Sequence, residues 1–166
     1  MALPDFVMYE EEYKKLKEIL ERLKEESGSK IVFLVDKNGQ QIAGAGELGN
    51  IDATSLASLT AGNVAATDGL AKLIGEKEFS LLFHEGERDN LHISIVGKRG
   101  ILVVIFDNKA TLGLVRLRVK KASQELEKIF DMIEEKVKKQ AGDEEKYESP
   151  FAEITEEDID KLFGDI

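Results

Sequence analysis

Apolar residues recur along this chain in two periods, and the switches between those periods mark out a nearly complete list of elements. From Tyr9 onward, Tyr13, Leu16, Ile19, Leu20 and Leu23 recur at helical spacing with Lys and Glu between them. This predicts an amphipathic first helix, ended by Ser27-Gly28. The unbroken run Ile31 to Val35 reads as a buried strand. Asn38-Gly39 in the Asp36 to Gly39 turn is a strong hairpin signal, and a second strand is predicted from Gln40 to about Gly46. Three further strand-like runs are Phe79 to Phe83, Leu91 to Val96 with clean alternation, and Ile101 to Phe106. Gly86 to Asn90 and Gly97 to Gly100 have the composition of the turns between them. A long helix follows from about Thr111 to Lys139, with Val115, Val119, Ala122, Leu126, Ile129, Ile133 and Val137 on one stripe. The order helix, two strands, helix, three strands, helix predicts an α+β fold: a five-stranded antiparallel sheet sandwiched between helices.

The second helix, Asp52 to Gly75 with Asp52 as its N-cap, is the element the rest is organised around. At about 100° per residue, Leu56, Leu59, Leu70, Leu73 and Ile74 share one sector, which is predicted to face the core. Roughly opposite lie Ser58, Ala61, Gly62, Ala65, Asp68, Gly69 and Lys72. Two interior glycines cost a helix about 1 kcal/mol each relative to alanine, so close approach of another backbone is a reason to keep them. The small face reads as a docking surface; a solvated face, or one covered by another part of the chain, are the alternatives. The edge strand, Phe79 to Phe83, needs covering as well, and a two-fold homodimer that joins these edges and sets the two central helices side by side answers both needs.

Composition changes the picture mainly at the C-terminus. The 166 residues carry a formal net charge of −10. From Asp143 onward there are ten carboxylates against Lys146 and Lys161, a balance of −8 that leaves −2 for residues 1–142. A nearly neutral body argues against nucleic acid as a partner, because phosphate binding needs a basic surface. The divisions predicted are a domain over 9–140, a charged linker over 141–148 and an acidic tail over 149–166. In the tail Thr155 is placed as an N-cap, and Ile154 and Ile159 hold the two positions of a hydrophobic staple. Leu162 and Phe163 continue the apolar face of a helix too short to persist alone, so a partner is implied unless the tail folds back on its own domain. The absence of cysteine removes disulfides and thiolate chemistry and fits a reducing compartment. The N-terminal residues lack a basic region followed by an apolar run, and no stretch approaches about 18 apolar residues, so a soluble cytoplasmic protein without membrane insertion is expected.

Candidate chemistry is sparse. There is no phosphate-binding Gly-rich loop, since Gly62 and Gly69 fall inside a helix and Gly75 ends it. Asp36 and Asn38 resemble the start of a calcium loop, but its glycine comes too early and no glutamate closes it. His84 and His92 fall on predicted strands and read as solvated sheet histidines rather than metal ligands. Ser55 and Ser58 lack an evident base, and Arg116, Arg118, Lys120 and Lys121 read as a solvated helix face that could offer a cation to an anion. No catalytic residue, metal site or cofactor is expected.

Longer blocks of sequence carry more than periodicity. Val7 to Glu12, Val32 to Gln40, Asn50 to Ala66, Phe83 to Gly86, Val103 to Asn108, Leu112 to Arg118 and Ser149 to Ile154 closely resemble the MglB family, bacterial roadblock-domain partners of the small Ras-like GTPase MglA. The resemblance spans nearly the whole chain; the departures lie in the first helix, the linker and Thr67-Asp68. It implies a roadblock fold, a homodimer with joined sheets, and one GTP-loaded GTPase seated across the paired central helices on Ser58, Ala61, Gly62, Ala65, Asp68, Gly69 and Lys72. It also implies that hydrolysis is accelerated by pressing the GTPase's own arginine and glutamine into place, GTP and Mg being held by the GTPase. The tail, through Phe151, Ile154, Ile159, Leu162 and Phe163, is implied to touch the GTPase away from the main contact and to influence nucleotide exchange. The implied setting is a cell pole, in control of polarity and motility. A roadblock scaffold that does not alter turnover is the alternative, and a small-ligand enzyme with an unrecognised site is the third class.

Overall fold

The structure is a computed structural model that describes residues 9–146 together with Glu157 and Lys161. By compactness the chain divides into one unit to Ile133 and a second from Glu134.

The first helix, α1 (Glu10–Ser27), buries Leu16, Ile19, Leu20 and Leu23 and leaves Tyr13 at its rim. It ends as its sequence predicts. Gly28 takes a left-handed φ of 71°, and the N–H groups of Gly28 and Ser29 donate to Glu25 O and Lys24 O. The hairpin of β1 (Ile31–Asp36) and β2 (Gln41–Ala45) turns on Asp36, whose Oδ1 accepts from the N–H groups of Asn38 and Gln40, both at 2.9 Å. Gly39 supplies the φ of 88° that this turn requires.

After α2 (Ala53–Leu73) come β3 (Leu81–Glu85), β4 (Asn90–Val96), β5 (Gly100–Phe106) and α3 (Leu112–Lys146). All pairings are antiparallel, in the order β2-β1-β5-β4-β3. The continuous apolar runs of β1 and β5 lie at the centre and are buried at every position, because both faces of the sheet are covered. On one face Ile31, Phe33, Val35, Ile93, Ile101, Val103 and Ile105 pack with Ala57 and Val64 of α2. Each large side chain taken from water here contributes about 1.5–3 kcal/mol.

Alternation puts Val32, Leu34, Leu102, Val104 and Phe106 on the other face, with α1 and α3. A Cβ at Gly100 would stand 2.8 Å from the Phe130 ring, so the glycine is what lets α3 lie close against β5. Ion pairs Arg22–Glu125 and Arg118–Glu26, the latter at 3.4 Å, join α1 to α3.

Two boundaries differ from the sequence reading. β3 begins at Leu81 rather than Phe79, because its ladder with β4 starts at Leu81↔Ser94. α3 continues to Lys146, so residues 141–146, read as linker, are helical. Ala, Gln, Lys and Glu are good helix formers, and Gly142 alone does not break the run. The tail residues Phe151, Ile154, Ile159, Leu162 and Phe163 lie outside the described residues; Glu157 and Lys161 are helical and exposed.

Candidate interaction surface

Helix α2 opens on a well-made cap. Asp52 Oδ1 accepts from the N–H groups of Thr54 (3.0 Å) and Ser55 (3.4 Å), and Oδ2 accepts from Ser55 Oγ (3.1 Å). These bonds, the Ser55 N–H first, hold the carboxyl below its usual range.

What α2 turns inward is the main correction to the sequence reading. Ala57, Thr60, Val64 and Ala71 are buried, whereas Leu59, Leu70, Leu73 and Ile74 are 74%, 59%, 83% and 69% exposed. Of the predicted leucine core face only Leu56 packs on the core, and it is half-buried. The physical reason is that the sheet supplies the large side chains, Phe33, Ile93, Ile101 and Ile105 among them, so the helix lies close and its inward positions must be small.

The helix therefore presents two outward faces. One is the exposed apolar face of Leu59, Leu70, Leu73 and Ile74. The other is the small face: Ser58, Gly62, Ala65, Gly69 and Lys72 are exposed, while Ala61 and Asp68 are half-buried. Part of its smallness is explained inside the chain, because a Cβ at Gly39 would fall 3.3 Å from Ser58 Cα and 3.6 Å from Ala61 Cβ. The β1–β2 turn packs against that end. Gly62 and Gly69 differ: a Cβ on either would meet nothing within 4 Å. No packing within the described chain accounts for these two helix glycines. Asp68 Oδ1 beside them is shielded yet has no hydrogen-bond partner among the described residues.

The sheet edges are unequal. At β2, Lys17 Nζ reaches over from α1 and donates to Gly44 O at 2.8 Å, beside a cavity of about 410 Å³ lined by Tyr13, Gln41 and Leu48. A lysine over the edge is a usual guard against strand pairing. The other edge is β3, which has a strand on one side only, with Leu81 exposed. It lies beside α2, to which His84 is joined by a 3.3 Å contact between its Nε2 and Asn63 Nδ2.

Among the described residues no three His, Cys, Asp or Glu side chains come together to hold a metal ion. His84 and His92 cannot share one, since the pairings His84↔Leu91 and Phe83↔His92 put them on opposite faces of the sheet. His92 is not the solvated sheet histidine expected. It is fully buried at 0% exposure on the face that α3 covers, and burial, then the Arg116 charge, pushes its pKa down. Arg116 and Arg118 are on α3, across the sheet from α2, and Arg118 is paired with Glu26.

Comparison with known proteins places this surface in a family. Residues 15–106 match the Roadblock/LC7 domain. The solved MglB of Myxococcus xanthus is 63% identical, with 77% of this chain and 96% of that one covered at a TM-score of 0.73. MglB of Thermus thermophilus, described as a gliding protein, is 38% identical, covering 81% of this chain and 99% of that one, also at 0.73. A third solved MglB, in a tetrameric arrangement, is 36% identical over 81% and 98% of the two chains, again at 0.73. The chain belongs to the Roadblock/LC7 family and, within it, to the MglB proteins.

Proposed function

We propose that this chain acts as a homodimer that binds a GTP-loaded small Ras-like GTPase of the MglA type and stimulates its hydrolysis of GTP. The observation that carries the reading is the pair of outward faces on α2 beside an open strand edge. Large exposed apolar side chains and an unpaired edge are what a second copy would cover. Glycines facing empty space are what a third surface would approach closely. In the dimer β3 pairs with its two-fold mate, and Leu59, Leu70, Leu73 and Ile74 face their counterparts. The relative solved as a tetramer supports self-association in the family. The Ser58 to Lys72 small faces of the two α2 helices then form one floor, on which a single GTPase sits.

The roadblock domain is a regulatory rather than a catalytic fold, and the activation we propose uses no active site or cofactor of this chain; GTP and Mg belong to the GTPase. The GTPase's own arginine and glutamine are held in their reactive positions, so no arginine is supplied in trans. Titration calorimetry tests the binding reading: saturation is expected at one GTPase per two chains for the GTP form, with markedly weaker binding of the GDP form. Saturation at one GTPase per chain would exclude a shared floor.

Alanine at Arg99, Arg116 or Arg118, one at a time, is expected to leave stimulation largely intact. A trans arginine finger is worth about 10³–10⁵ in turnover, so loss of nearly all stimulation without loss of binding would identify one.

The division proposed is a roadblock domain over 9–140, a charged linker over 141–148 that is helical to Lys146, and a tethered acidic tail at 149–166. Through Phe151, Ile154, Ile159, Leu162 and Phe163 the tail makes a second contact on the GTPase, raising the effective concentration of a weak site. Deleting residues 149–166 is expected to weaken GTPase binding several-fold or to alter nucleotide exchange, with the dimer intact by light scattering. Unchanged binding and exchange would remove the tail from the complex. Among the described residues no helix is long and apolar enough to cross a membrane. The proposed place of action is the cytoplasm at a cell pole, in control of polarity and motility.

A further inference from the structure

His92 sits at the middle of β4, paired with Phe83 of β3 and Val104 of β5. It is 0% exposed, and neither Nδ1 nor Nε2 has a hydrogen-bond partner among the described residues. Ser94 Oγ, two residues along the same face, is also buried without a partner. An imidazole so placed is tolerable while neutral; a proton on it would put a charge where nothing compensates it.

The surroundings make this sharper. On this face β5 contributes Leu102, Val104 and Phe106, and β4 itself adds Asn90 and Ser94. β3 contributes Leu81, Phe83 and, at its exposed end, Glu85. From α3 the charges are Arg116, which acts directly on His92, and Lys120 one turn further along. The charge acting on the ring is thus of the same sign as its own protonated form.

We propose that His92 is a pH-sensitive latch, which when neutral lets α3 lie on β4 and when protonated loosens the first turns of α3 together with the β3–β4 edge. Because β3 is the open edge of the sheet, the latch sits one strand from the seam any sheet-joined dimer would use. It does not depend on the identity of the docking partner.

The sign follows from the direction of the shift. The folded-state pKa lies below the unfolded value of about 6.5, so the unfolded chain takes the proton first. The stability that neutral His92 confers is complete above that value and is lost as pH falls toward the folded pKa.

Thermal unfolding of the full chain and of His92→Phe, each at pH 7.5, 6.5 and 5.5, tests this. Acidification is expected to lower the melting temperature of the native chain by about 3 °C or more beyond the loss in the variant, in which the other titrating groups are unchanged. Parallel losses would overturn the latch. Proton NMR of the native chain decides the matter if the variant does not fold. His92 is expected to keep its neutral chemical shift as pH falls through 6.5, and amide protection over residues 112–121 to fall as it titrates. Titration near 6.5 with that protection intact would overturn the proposal.

Discussion

Arginine at both Ala65 and Gly69 is expected to abolish binding of the GTP-loaded GTPase while the domain keeps its fold. Both positions are exposed on α2, and a Cβ at Gly69 meets nothing within 4 Å, so the new side chains extend into space that only a docked protein would fill. Within the helix the change is favourable: Gly→Arg removes a penalty of about 0.8–1 kcal/mol. The variant should therefore melt no lower than the native chain, and its circular dichroism should be unchanged. Two bulky cations on a floor of alanine and glycine cannot be accommodated by small rearrangements. A loss of at least about 100-fold in affinity, some 2.7 kcal/mol, is the expected size. Calorimetry showing native affinity in the folded double variant would mean that the GTPase docks elsewhere.

The second large effect is on assembly. Asp at both Leu70 and Leu73 is expected to convert the dimer to a monomer without unfolding it. In the single chain these side chains are 59% and 83% exposed, so their replacement removes little from the core. In the proposed dimer each would be covered by the partner copy, at about 1.5–3 kcal/mol per fully buried leucine. The substitution also sets carboxylates against their two-fold mates. Light scattering should report about the chain mass of 18.5 kDa in place of twice that value. GTPase binding should weaken in parallel, since the proposed floor needs two copies of α2. A Leu70→Asp/Leu73→Asp protein that remained dimeric would take the exposed leucines out of the interface and leave β3 pairing as its basis.

These two expectations turn on a distinction that sequence periodicity does not make. The pattern of α2 shows which residues share a face; it does not show which face is inside. Leu59, Leu70 and Leu73 read as core because large apolar side chains usually are. Here the sheet already fills that layer with Phe33 and a row of isoleucines, so the helix turns Ala57, Val64 and Ala71 inward. The small face is legible from Gly62 and Gly69, and its exposure follows in the structure. Its contact with Gly39 is not legible, because it joins positions distant along the chain.

Local signals read reliably. The Gly28 cap, the Asp36–Gly39 turn and the Asp52 cap each depend on a few adjacent residues, and each forms as its chemistry dictates. The alternation in β4 likewise places His92 and Ser94 on one face; what it cannot reveal is that α3 covers that face. The helical state of residues 141–146 is not legible for a different reason. High charge suggests loss of structure, but Lys, Glu and Gln with few breakers are also what a long exposed helix is made of.

Whether the complex activates the GTPase or only holds it is decided by single-turnover hydrolysis of GTP on the cognate MglA-type GTPase, with and without a saturating amount of this protein. The expected result is a large acceleration that is retained in the Arg99→Ala, Arg116→Ala and Arg118→Ala proteins and lost with Ala65→Arg/Gly69→Arg. Tight binding with an unchanged rate of hydrolysis would contradict it and leave a scaffold in place of an activator.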